Sequence, residues 1–388
     1  MKAQEILGRL ETIQKRLLVY RPEILRPFFK SIKPSGRAVI LTGARGTGKT
    51  TFLLSRLGDG HFLYFSADNP ITSGYSLYDL IEAAFMQGYE GVFIDEVHYA
   101  AAWAKDLKAA YDAFPAKTIW ASDSSSLALR GGIEDLSRRF LFMRLPLLSF
   151  REFVALTTGE VYPALNAFEA GDEAARILKK TNVLKLFKDY LDHGFRPIFL
   201  ENLSTYAQRI MAMIEKALSA DIPFLVPQLS DNNLRFMNAV IGYLAVSKIP
   251  TLAVSSLSNQ WGLGKEKLYH LLEAMESAGV VRILRIKSDQ RVHTVGRKIF
   301  LYEPSVYAYF GGDLGTMREA FVTGSALETG RKVFASMDEK RGDLIVDDRF
   351  IEVGGKSKAK KGADFVVRDD LDLPVGKAIP MWVWGFEY

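Results

Sequence analysis

Hydrophobic and polar residues follow two different periodicities in the first third of this chain. Short apolar runs such as "AVILTG", "HFLYFSAD", "GVFIDEV" and "KTIWASD" are separated by stretches with helical spacing, "SLYDLIEAAFMQG" and "WAKDLKAAYDAF". Strands that alternate with helices are typical of a parallel sheet covered by helices on both faces. The pattern therefore predicts an α/β core, which follows an amphipathic helix within "EILGRLETIQKRLLVY".

The pattern changes near Arg151, where helical spacing becomes dominant. Further on, "NLRFMNAVIGYLAVSK" and "KEKLYHLLEAMESAG" predict two helices, and "VVRILRIK" and "KIFLY" predict two strands. The last segment mixes a helix around Arg318–Phe334 with short strands. We predict five regions: a helical lead-in at 1–35, the α/β core at 36–150, a helical region at 151–225, a helix-turn-helix region with a strand pair at 226–310, and a small α/β domain at 311–388.

Composition adds only broad limits to this organisation. The 388 residues include no cysteine, which excludes disulfides and thiolate metal sites and is typical of a reducing cytoplasm. The charged N-terminal stretch lacks the apolar core of a secretory signal, and no run reaches the roughly 20 apolar residues that span a bilayer. We expect a cytoplasmic protein without a membrane partner. The net charge of +5 favours nucleic acid only weakly.

The string "GARGTGKT" fits the phosphate-binding pattern G-x-x-x-x-G-K-[ST], and it lies between a predicted strand and a predicted helix. Glycines let backbone N–H groups surround phosphates, and the helix N-terminus adds favourable partial charge. We expect Lys49 to reach the β- and γ-phosphates of ATP and the Thr50 hydroxyl to bind Mg²⁺. The predicted nucleotide-binding residues are Gly43, Ala44, Arg45, Gly46, Thr47, Gly48, Lys49, Thr50 and Thr51.

The acid pair Asp95-Glu96 ends the predicted strand "GVFIDEV". Such a pair can simply cap a following structure, but an upstream phosphate loop favours a catalytic interpretation. Asp95 then holds Mg²⁺, directly or through water, and Glu96 polarises the attacking water. The pair favours hydrolysis of ATP over phosphoryl transfer to a small molecule.

The string "TIWASDSSS" predicts a further strand with a polar end. If this strand neighbours the one that carries Asp95, Ser122 or Asp123 lies beside the γ-phosphate. Downstream, Arg138 and Arg139 either form a solvated basic helix face or supply an arginine to a neighbouring copy's γ-phosphate. We expect the catalytic side chains to be Glu96, Lys49, Ser122 and Arg139.

Several strings together resemble the prokaryotic AAA-type ATPases that carry a lid, a winged-helix region and a C-terminal domain of the PD-(D/E)XK nuclease-like type. They include "TGARGTGKTT", "YFSADNP", "IDEVHYAAAWAKDLKAAYDAFP", "LSRRFLFMRLPLLSFREF", "GTMREAFV", "FIEVGGKSK" and "IPMWVWGFEY". The resemblance implies a P-loop NTPase core of the AAA+ type at 36–150, a helical lid at 151–225, a winged-helix domain at 226–310, a nuclease-like domain at 311–388, and an oligomer. Arg139 stands where the group has the arginine of a Gly-Arg pair, and Arg196 is a candidate phosphate contact.

The winged-helix region offers basic residues to a nucleic acid. Lys265, Lys267 and His270 are expected on the outer face of the second helix. The wing or its flanks would carry Arg282, Arg285, Lys287, Arg291, Arg297 and Lys298, where they could meet phosphates. Nothing indicates a set of base-reading residues, so contact with DNA would be nonspecific. The alternative is a helical unit that docks proteins.

The C-terminal string "RGDLIVDDRFIEVGGKSKAKK" contains the acids of a nuclease-like site, Asp343 and Glu352. A lysine two places after the second acid would share its face of the strand, but Gly354 occupies that position and Lys356 follows later. Glu328 or Glu319 could supply an acid from the preceding helix. The sequence favours a nuclease-like fold that does not cut nucleic acid.

These observations predict a Mg-ATP-dependent ATPase that uses hydrolysis to move its lid and winged-helix domains, with DNA as a possible client. The partners expected are further copies of the chain or another protein. Two alternatives stay open. One is a nucleotide-dependent switch or scaffold that recruits protein partners, and the other is a nuclease effector gated by ATP.

Overall fold

A computed structural model describes residues 3–32, 36–124, 136–225, 231–248, 258–259, 262, 264–287, 298–338, 340–356 and 362–388. The chain divides into two compact units, Met1–Pro146 and Leu147–Tyr388. The predicted end of the α/β core at residue 150 lies close to this division. The finer separation into five regions stays a prediction.

The first unit is an α/β sandwich built around one parallel sheet. Its helices are α1 (Ala3–Val19), α2 (Phe28–Ser31), α3 (Lys49–Ser55), α4 (Leu77–Met86) and α5 (Trp103–Ala113). Its strands are β1 (Ala38–Thr42), β2 (Phe62–Ser66), β3 (Gly91–Asp95), β4 (Thr118–Asp123) and β5 (Leu141–Arg144). The five strands are parallel in the order β2-β3-β4-β1-β5, which confirms the predicted α/β core.

Strand β1 explains why this sheet is covered on both faces. All of its residues are buried, and successive side chains of a strand point to opposite faces. Ala38 and Ile40 therefore join one apolar cluster with α1, α4 and α5, whereas Val39 and Leu41 join a second cluster with α3. A strand buried on both faces is nearly continuous in apolar residues, as "AVIL" is.

The strand order brings three polar strand ends to one edge of the sheet. β4 lies between β1 and β3, with Thr42 paired to Asp123 and Ile94 paired to Ala121. Because all of these strands are parallel, the residues after β1 and the last residues of β3 and β4 meet at the carboxyl edge. The strand that carries Ser122 does neighbour the strand that carries Asp95, so the condition set for Ser122 is met.

The second unit combines a mostly helical part with two sheets. The helices are α6 (Phe150–Thr158), α7 (Gly171–Lys180), α8 (Val183–His193), α9 (Tyr206–Lys216), α10 (Ile222–Leu225), α11 (Asp231–Val246), α12 (Lys265–Ser277), α13 (Ser305–Tyr309), α14 (Leu314–Glu328) and α15 (Met381–Trp384). The strands are β6 (Val281–Leu284), β7 (Lys298–Leu301), β8 (Val333–Ala335), β9 (Leu344–Val346), β10 (Arg349–Gly354), β11 (Phe365–Arg368) and β12 (Ala378–Pro380).

The two sheets of this unit differ in topology. β6 and β7 form an antiparallel pair. The other sheet has the order β12-β11-β10-β9-β8, in which β8, β9 and β10 run antiparallel and β10, β11 and β12 run parallel. Helix α14 packs on this sheet along β10.

The predicted helix around Arg318–Phe334 is too long at its C-terminal end, because α14 ends at Glu328. Gly330 has a left-handed φ of 81° after the last helical turn, and Phe334 lies in β8.

Buried ion pairs stabilise the interior of the second unit. Arg196 Nε lies 2.5 Å from Glu303 Oε2, and both side chains are almost wholly buried. The hydroxyls of Tyr206 and Ser305 donate to the other carboxylate oxygen of Glu303. A buried charge requires such partners, because an unpaired one is strongly destabilising. The prediction that Arg196 contacts phosphate is wrong, since its guanidinium serves this internal pair.

None of the helices in the described part of the chain combines the length and the apolarity that a bilayer-spanning segment requires.

Candidate nucleotide-binding site

The phosphate-binding string forms a tight loop between β1 and α3. Gly43, Gly46 and Gly48 have φ values of 151°, 79° and 98°, which L side chains rarely adopt. At Gly43 a Cβ would also lie only 2.4 Å from the Leu145 carbonyl oxygen. Glycine is therefore required there both by conformation and by close packing, and the backbone can approach a phosphate without obstruction.

The loop is fixed from behind by Arg26. One Nη1 of Arg26 donates to the Thr47 carbonyl at 2.8 Å and to the Pro146 carbonyl at 2.9 Å, and the side chain is buried. Phe29 lies against Gly48 on the same side. These contacts hold the loop in a shape that is set before any ligand binds, which lowers the entropic cost of binding.

Lys49 is folded back into the loop that it follows. Its Nζ donates to the Gly43 carbonyl at 2.8 Å and to the Ala44 carbonyl at 3.2 Å. Burial lowers the pKa of Lys49, while Glu96, Asp95 and Asp123 act in the opposite direction. Phosphate oxygens are stronger acceptors than carbonyls, because the hydrogen bond is then charge-assisted on both sides. The ammonium is thus placed to exchange its loop carbonyls for phosphate.

Asp95 gathers three hydroxyl donors at the end of β3. Thr50 Oγ1 donates to Oδ2 at 2.6 Å, Tyr64 Oη donates to the same oxygen at 2.9 Å, and Ser122 Oγ donates to Oδ1. Burial raises the pKa of Asp95, assisted by the charge of Glu96, and the three hydrogen bonds counteract part of that rise. Burial also raises the pKa of Tyr64, so its phenol stays a donor.

The Thr50 hydroxyl and the Asp95 carboxylate fit the requirements of Mg²⁺. Both are hard oxygen ligands, and they come from the first turn of α3 and the end of β3 within hydrogen-bond distance of each other. Mg²⁺ typically takes one or two such protein ligands, several waters and phosphate oxygens. These two residues would therefore hold the ion at the mouth of the phosphate loop.

Glu96 occupies a strained position directly after β3. Its φ of 50° and ψ of 48° are left-handed, which costs a non-glycine residue about 1–2 kcal/mol. The carboxylate accepts from Ser124 through Oγ at one oxygen and through the backbone N–H, at 3.3 Å, at the other. Strain of this kind persists where the surroundings determine the position of a functional side chain.

A histidine lies between the carboxylates of β3 and β4. His98 Nδ1 is 2.7 Å from Asp123 Oδ1 and 3.5 Å from Glu96 Oε2, and the His98 and Asp123 side chains are fully buried. Within the part of the chain that the structure describes, Glu96, His98 and Asp123 form the one group of His, Asp or Glu side chains whose ligand atoms could share a metal ion. His98 Nδ1 faces both carboxylates, so the three side chains form one polar cluster without any ion.

A second cation of the phosphate loop faces this group. Arg45 Nη1 lies 4.0 Å from Glu96 Oε1, and both side chains are mostly buried. The positive charge of Arg45 contributes to lowering the pKa of Lys49, after the larger effect of burial. The sequence places Arg45 in the loop but gives no role to its side chain. In the sequence, the one indication of such a role is that an arginine occupies a variable position of the phosphate-binding pattern.

Arg139 lies elsewhere in the first unit. Its Nε and Nη2 donate to the two carboxylate oxygens of Asp112 in α5, at 2.8 and 2.9 Å. The last residues of α5 lie beside the start of β1, because Arg37 donates to the carbonyls of Tyr111 and Phe114. This is the amino edge of the sheet, opposite to the site. Any catalytic role of Arg139 would have to be exerted on another copy of the chain, as the sequence suggests.

The C-terminal acids have a different environment in the second unit. Asp343 Oδ2 accepts from the Val353 backbone N–H at 2.9 Å, and its Oδ1 lies 3.9 Å from Lys298 Nζ. The same ammonium lies 2.5 Å from Glu319 Oε2 in α14. The lysine that faces these acids is thus Lys298 of β7, which the sequence assigned to the wing.

The other predicted members of this group are dispersed. Glu352 is fully buried in β10, and Lys356 is exposed after the end of that strand. The charge of Lys356 acts on Asp370, whose pKa is lowered chiefly by Arg368. Glu328 is bound to Arg282 at 3.1 Å. The nuclease roles of Asp343, Glu352 and Lys356 stay predictions.

The basic residues of the helix-turn-helix region fall into two groups. Lys265, Lys267 and His270 are exposed on α12, as expected. Arg282 is buried against Glu328, so the prediction that it meets phosphates is wrong. Others take part in ion pairs inside the unit, Arg285 with Glu276 and Lys287 with Asp348. Arg291 and Arg297 lie outside the described residues.

Comparison with known proteins agrees with this geometry. Residues 35–154, which contain the phosphate loop, Asp95-Glu96 and Ser122, match a protein family described as an AAA domain. No curated protein matches the chain. A Walker-type ATPase of Pyrococcus abyssi is similar, with 12% identity, coverage of 71% of this chain and 91% of that chain, and a TM-score of 0.41.

Two further solved structures are similar over smaller or looser alignments. AMPPCP-bound DnaA from Aquifex aeolicus has 14% identity, covers 69% of this chain and 88% of its own, and gives a TM-score of 0.26. A katanin structure that concerns self-assembly has 24% identity, covers 38% of this chain and 55% of its own, and gives a TM-score of 0.25. The family match and the parallel sheet together support a nucleotide-binding ATPase of the AAA type.

Proposed function

We propose that this protein is a Mg-ATP-binding ATPase of the AAA type that hydrolyses ATP at the carboxyl edge of the parallel sheet. The observation that supports this most is the 2.6 Å hydrogen bond between the Thr50 hydroxyl and Asp95, beside Lys49 and Glu96. A phosphate ligand, two magnesium ligands and a general base thus come from separate strands and loops and meet in one place. No ordinary glycine-rich turn requires that convergence.

Each side chain has a chemical task in this proposal. Lys49 exchanges its loop carbonyls for the terminal phosphates and balances their charge. Thr50 and Asp95 orient Mg²⁺, which would neutralise charge on the phosphates when bound. Ser122 fixes Asp95 through Oδ1 and also accepts from the Glu96 backbone N–H at 3.3 Å. Glu96, held by Ser124, accepts a proton from the attacking water.

Two substitutions test the core of the proposal. Lys49→Ala should lower the affinity for Mg-ATP by about 100-fold or more, because a charge-assisted contact to phosphate is lost. Glu96→Gln should keep binding and lower turnover about 10²–10⁴-fold, because the base is removed. Isothermal titration calorimetry and phosphate release measure the two effects. Lys30→Ala and Glu23→Gln, at exposed positions of the same unit, are the matched controls.

The outcome separates the proposal from its first alternative. Normal hydrolysis by Glu96→Gln would refute the assignment of the base. Tight binding with negligible turnover by the wild type would instead favour a nucleotide-dependent switch or scaffold that recruits protein partners.

We further propose that α6 to α10 act as a lid, that α11, α12 and the β6-β7 pair form a winged-helix domain, and that hydrolysis changes their positions. The antiparallel pair that follows α12 supports this assignment.

Assembly into a homo-oligomer would follow from the AAA type. Native mass spectrometry with Mg-ADP and with Mg-AMPPCP tests both ideas, because a nucleotide-dependent assembly or shape change should alter mass or charge-state distribution. Identical spectra in both states would count against them.

The nuclease alternative has weaker support. The mixed sheet of β8 to β12 with α14 packed on it suits a nuclease-like domain. Lys298, however, binds Glu319 and lies close to Asp343, so it neutralises acids that a catalytic metal would need. We therefore propose a nuclease-like fold without cleavage. Mg²⁺- or Mn²⁺-dependent nicking of plasmid DNA that disappears in Asp343→Ala would overturn this proposal.

A further inference from the structure

Arg45 is the arginine that the fold brings to the general base. It stands in the middle of the phosphate loop, between the left-handed backbone of Gly43 and that of Gly46. Its Nη1 is 4.0 Å from Glu96 Oε1, and the side chains are only 18% and 15% exposed. The guanidinium therefore lies next to the carboxylate that would orient the attacking water.

Arg45 and Lys49 place two cations in the same phosphate loop. Glu96 lies 4.0 Å from Arg45, and its charge also acts on Lys49, so the two cations of the loop have this acid in common. Two cations in one phosphate loop favour a ligand that brings negative charge of its own. A terminal phosphate supplies that charge.

The contact between Arg45 and Glu96 is long enough to be exchanged. A direct hydrogen bond between a guanidinium and a carboxylate is typically 2.7–2.9 Å long, so a separation of 4.0 Å is a Coulombic contact without that bond. A planar guanidinium matches two phosphate oxygens simultaneously. A γ-phosphate beside Glu96 would offer this guanidinium a closer, paired acceptor and leave Glu96 to its water.

The arginine predicted from the sequence has a different position. Arg139 is bound to Asp112 by two hydrogen bonds at the amino edge of the sheet. It cannot act on the phosphate bound in its own chain from there. Arg45, in contrast, lies in the phosphate loop of its own chain, 4.0 Å from Glu96.

We propose that Arg45 is a catalytic residue that binds the γ-phosphate in cis, and that it makes the site discriminate ATP from ADP. This inference rests on the proposed ATPase function. In the reaction, the water oxygen bonds to the γ-phosphorus, the bond from that phosphorus to the bridging oxygen breaks, and the electron pair leaves with ADP. The water's proton passes to Glu96, and Arg45 stabilises charge on the transferring phosphoryl group.

The test compares two nucleotides in the full-length chain. Wild type, Arg45→Ala, Arg45→Lys and the exposed control Arg9→Ala are titrated with Mg-ADP and with Mg-AMPPCP, and phosphate release from ATP is measured. Arg45→Ala should bind Mg-ADP within about twofold of wild type but Mg-AMPPCP about tenfold more weakly. Its turnover should fall about 10²-fold or more, as when one stabilising donor is removed. Arg45→Lys should recover part of both effects, since it keeps the charge but not the paired geometry.

Two results would overturn the inference. One is wild-type turnover and an unchanged preference for Mg-AMPPCP over Mg-ADP in Arg45→Ala. The other is an equal loss of both nucleotides in Arg45→Ala and Arg45→Lys, which would indicate that Arg45 only supports the loop. Failure of the ATPase function itself would be visible in the wild type, as an absence of Mg-nucleotide binding or of turnover, and is therefore distinguishable.

Discussion

Two groups of acids, one in each unit, differ in what compensates their charge. At the end of β3, Asp95 is held by the hydroxyls of Thr50, Tyr64 and Ser122, and the nearby cations belong to a loop that can exchange partners. In the second unit, Lys298 is bound to Glu319 at 2.5 Å and lies close to Asp343. Hydroxyl donors orient a carboxylate and leave its negative charge available to a cation, whereas a bound lysine neutralises that charge. The first arrangement suits an incoming cation and the second suits stability.

Among the substitutions that test this comparison, the largest effect is expected for magnesium binding in the first unit. Thr50→Val removes the hydroxyl that binds Asp95 and would bind Mg²⁺, with little change in shape. We expect the affinity for Mg-ADP to fall about 10- to 100-fold, while the affinity for ADP in EDTA stays nearly constant. Calorimetry in both buffers measures the difference. Thr12→Val, which removes a hydroxyl donating to a carbonyl of its own helix, is the control. An equal loss in both buffers would show that Thr50 acts without the ion.

The second prediction compares the same replacement, lysine by methionine, at Lys298 in the second unit and at Lys49 in the first. Lys298→Met leaves Glu319 and Asp343 facing each other without their cation, so the free energy of unfolding should decrease by about 1–2 kcal/mol. The double variant Lys298→Met with Glu319→Gln should recover part of this loss. Urea denaturation measures both variants. A neutral effect of Lys298→Met would mean that these acids do not need the lysine.

Lys49→Met should behave in the opposite way. Burial lowers the pKa of Lys49, so the charged form is less favourable in the folded than in the unfolded chain. The sign follows directly: stability of the nucleotide-free protein rises as pH increases from the lowered pKa toward 10.5. We expect Lys49→Met to keep or increase the free energy of unfolding and to abolish this rise. A clear decrease in stability would place Lys49 in the same class as Lys298.

A smaller effect concerns DNA. If α12 contacts phosphates, the pair Lys265→Glu and Lys267→Glu should weaken binding to a duplex severalfold and reduce its salt dependence by up to two counterions. Fluorescence anisotropy with duplexes of unrelated sequence measures this. Lys179→Glu with Lys180→Glu, at exposed positions of α7, is the matched control. Equal affinities of all proteins would remove α12 as a DNA contact.

The smallest effect is expected from Arg139→Ala. The ion pair with Asp112 is exposed, and exposed pairs contribute little to stability. In dilute protein the turnover should equal that of the wild type, because Arg139 lies at the edge of the sheet opposite to its own site. A decrease that appears only at higher protein concentration would support action on a neighbouring copy. Turnover measured across a concentration series distinguishes the two cases.

Much of the first unit could be predicted because its information is local. The glycines of the loop need their conformation at those positions, and Asp95-Glu96 follows directly on an apolar strand. The adjacency of the strands with Asp95 and Ser122 could be named only as a condition, which the strand order meets. The distance between Arg45 and Glu96 could not be predicted, because it depends on strand order and on a side-chain rotamer in a loop.

The second unit was less predictable because its contacts join distant residues. Lys298 reaches Asp343 and Glu319 across different elements, so no spacing in the sequence indicates the cluster. The family resemblance made Arg196 a candidate phosphate contact, and the predicted wing did the same for Arg282, although each is buried against a glutamate. Charge patterns do not reveal burial, and burial decides whether an arginine is available to a ligand.

The two hydrogen bonds of Arg26 have a mechanical consequence. Nη1 of Arg26 donates to the Thr47 carbonyl of the phosphate loop and to the carbonyl of Pro146, which is the last residue of the first unit. A displacement of the Thr47 carbonyl must therefore stretch its bond to Arg26 or move the guanidinium, and with it the bond to Pro146. Through these two hydrogen bonds, Arg26 links the position of the phosphate loop to Pro146, the last residue of the first unit.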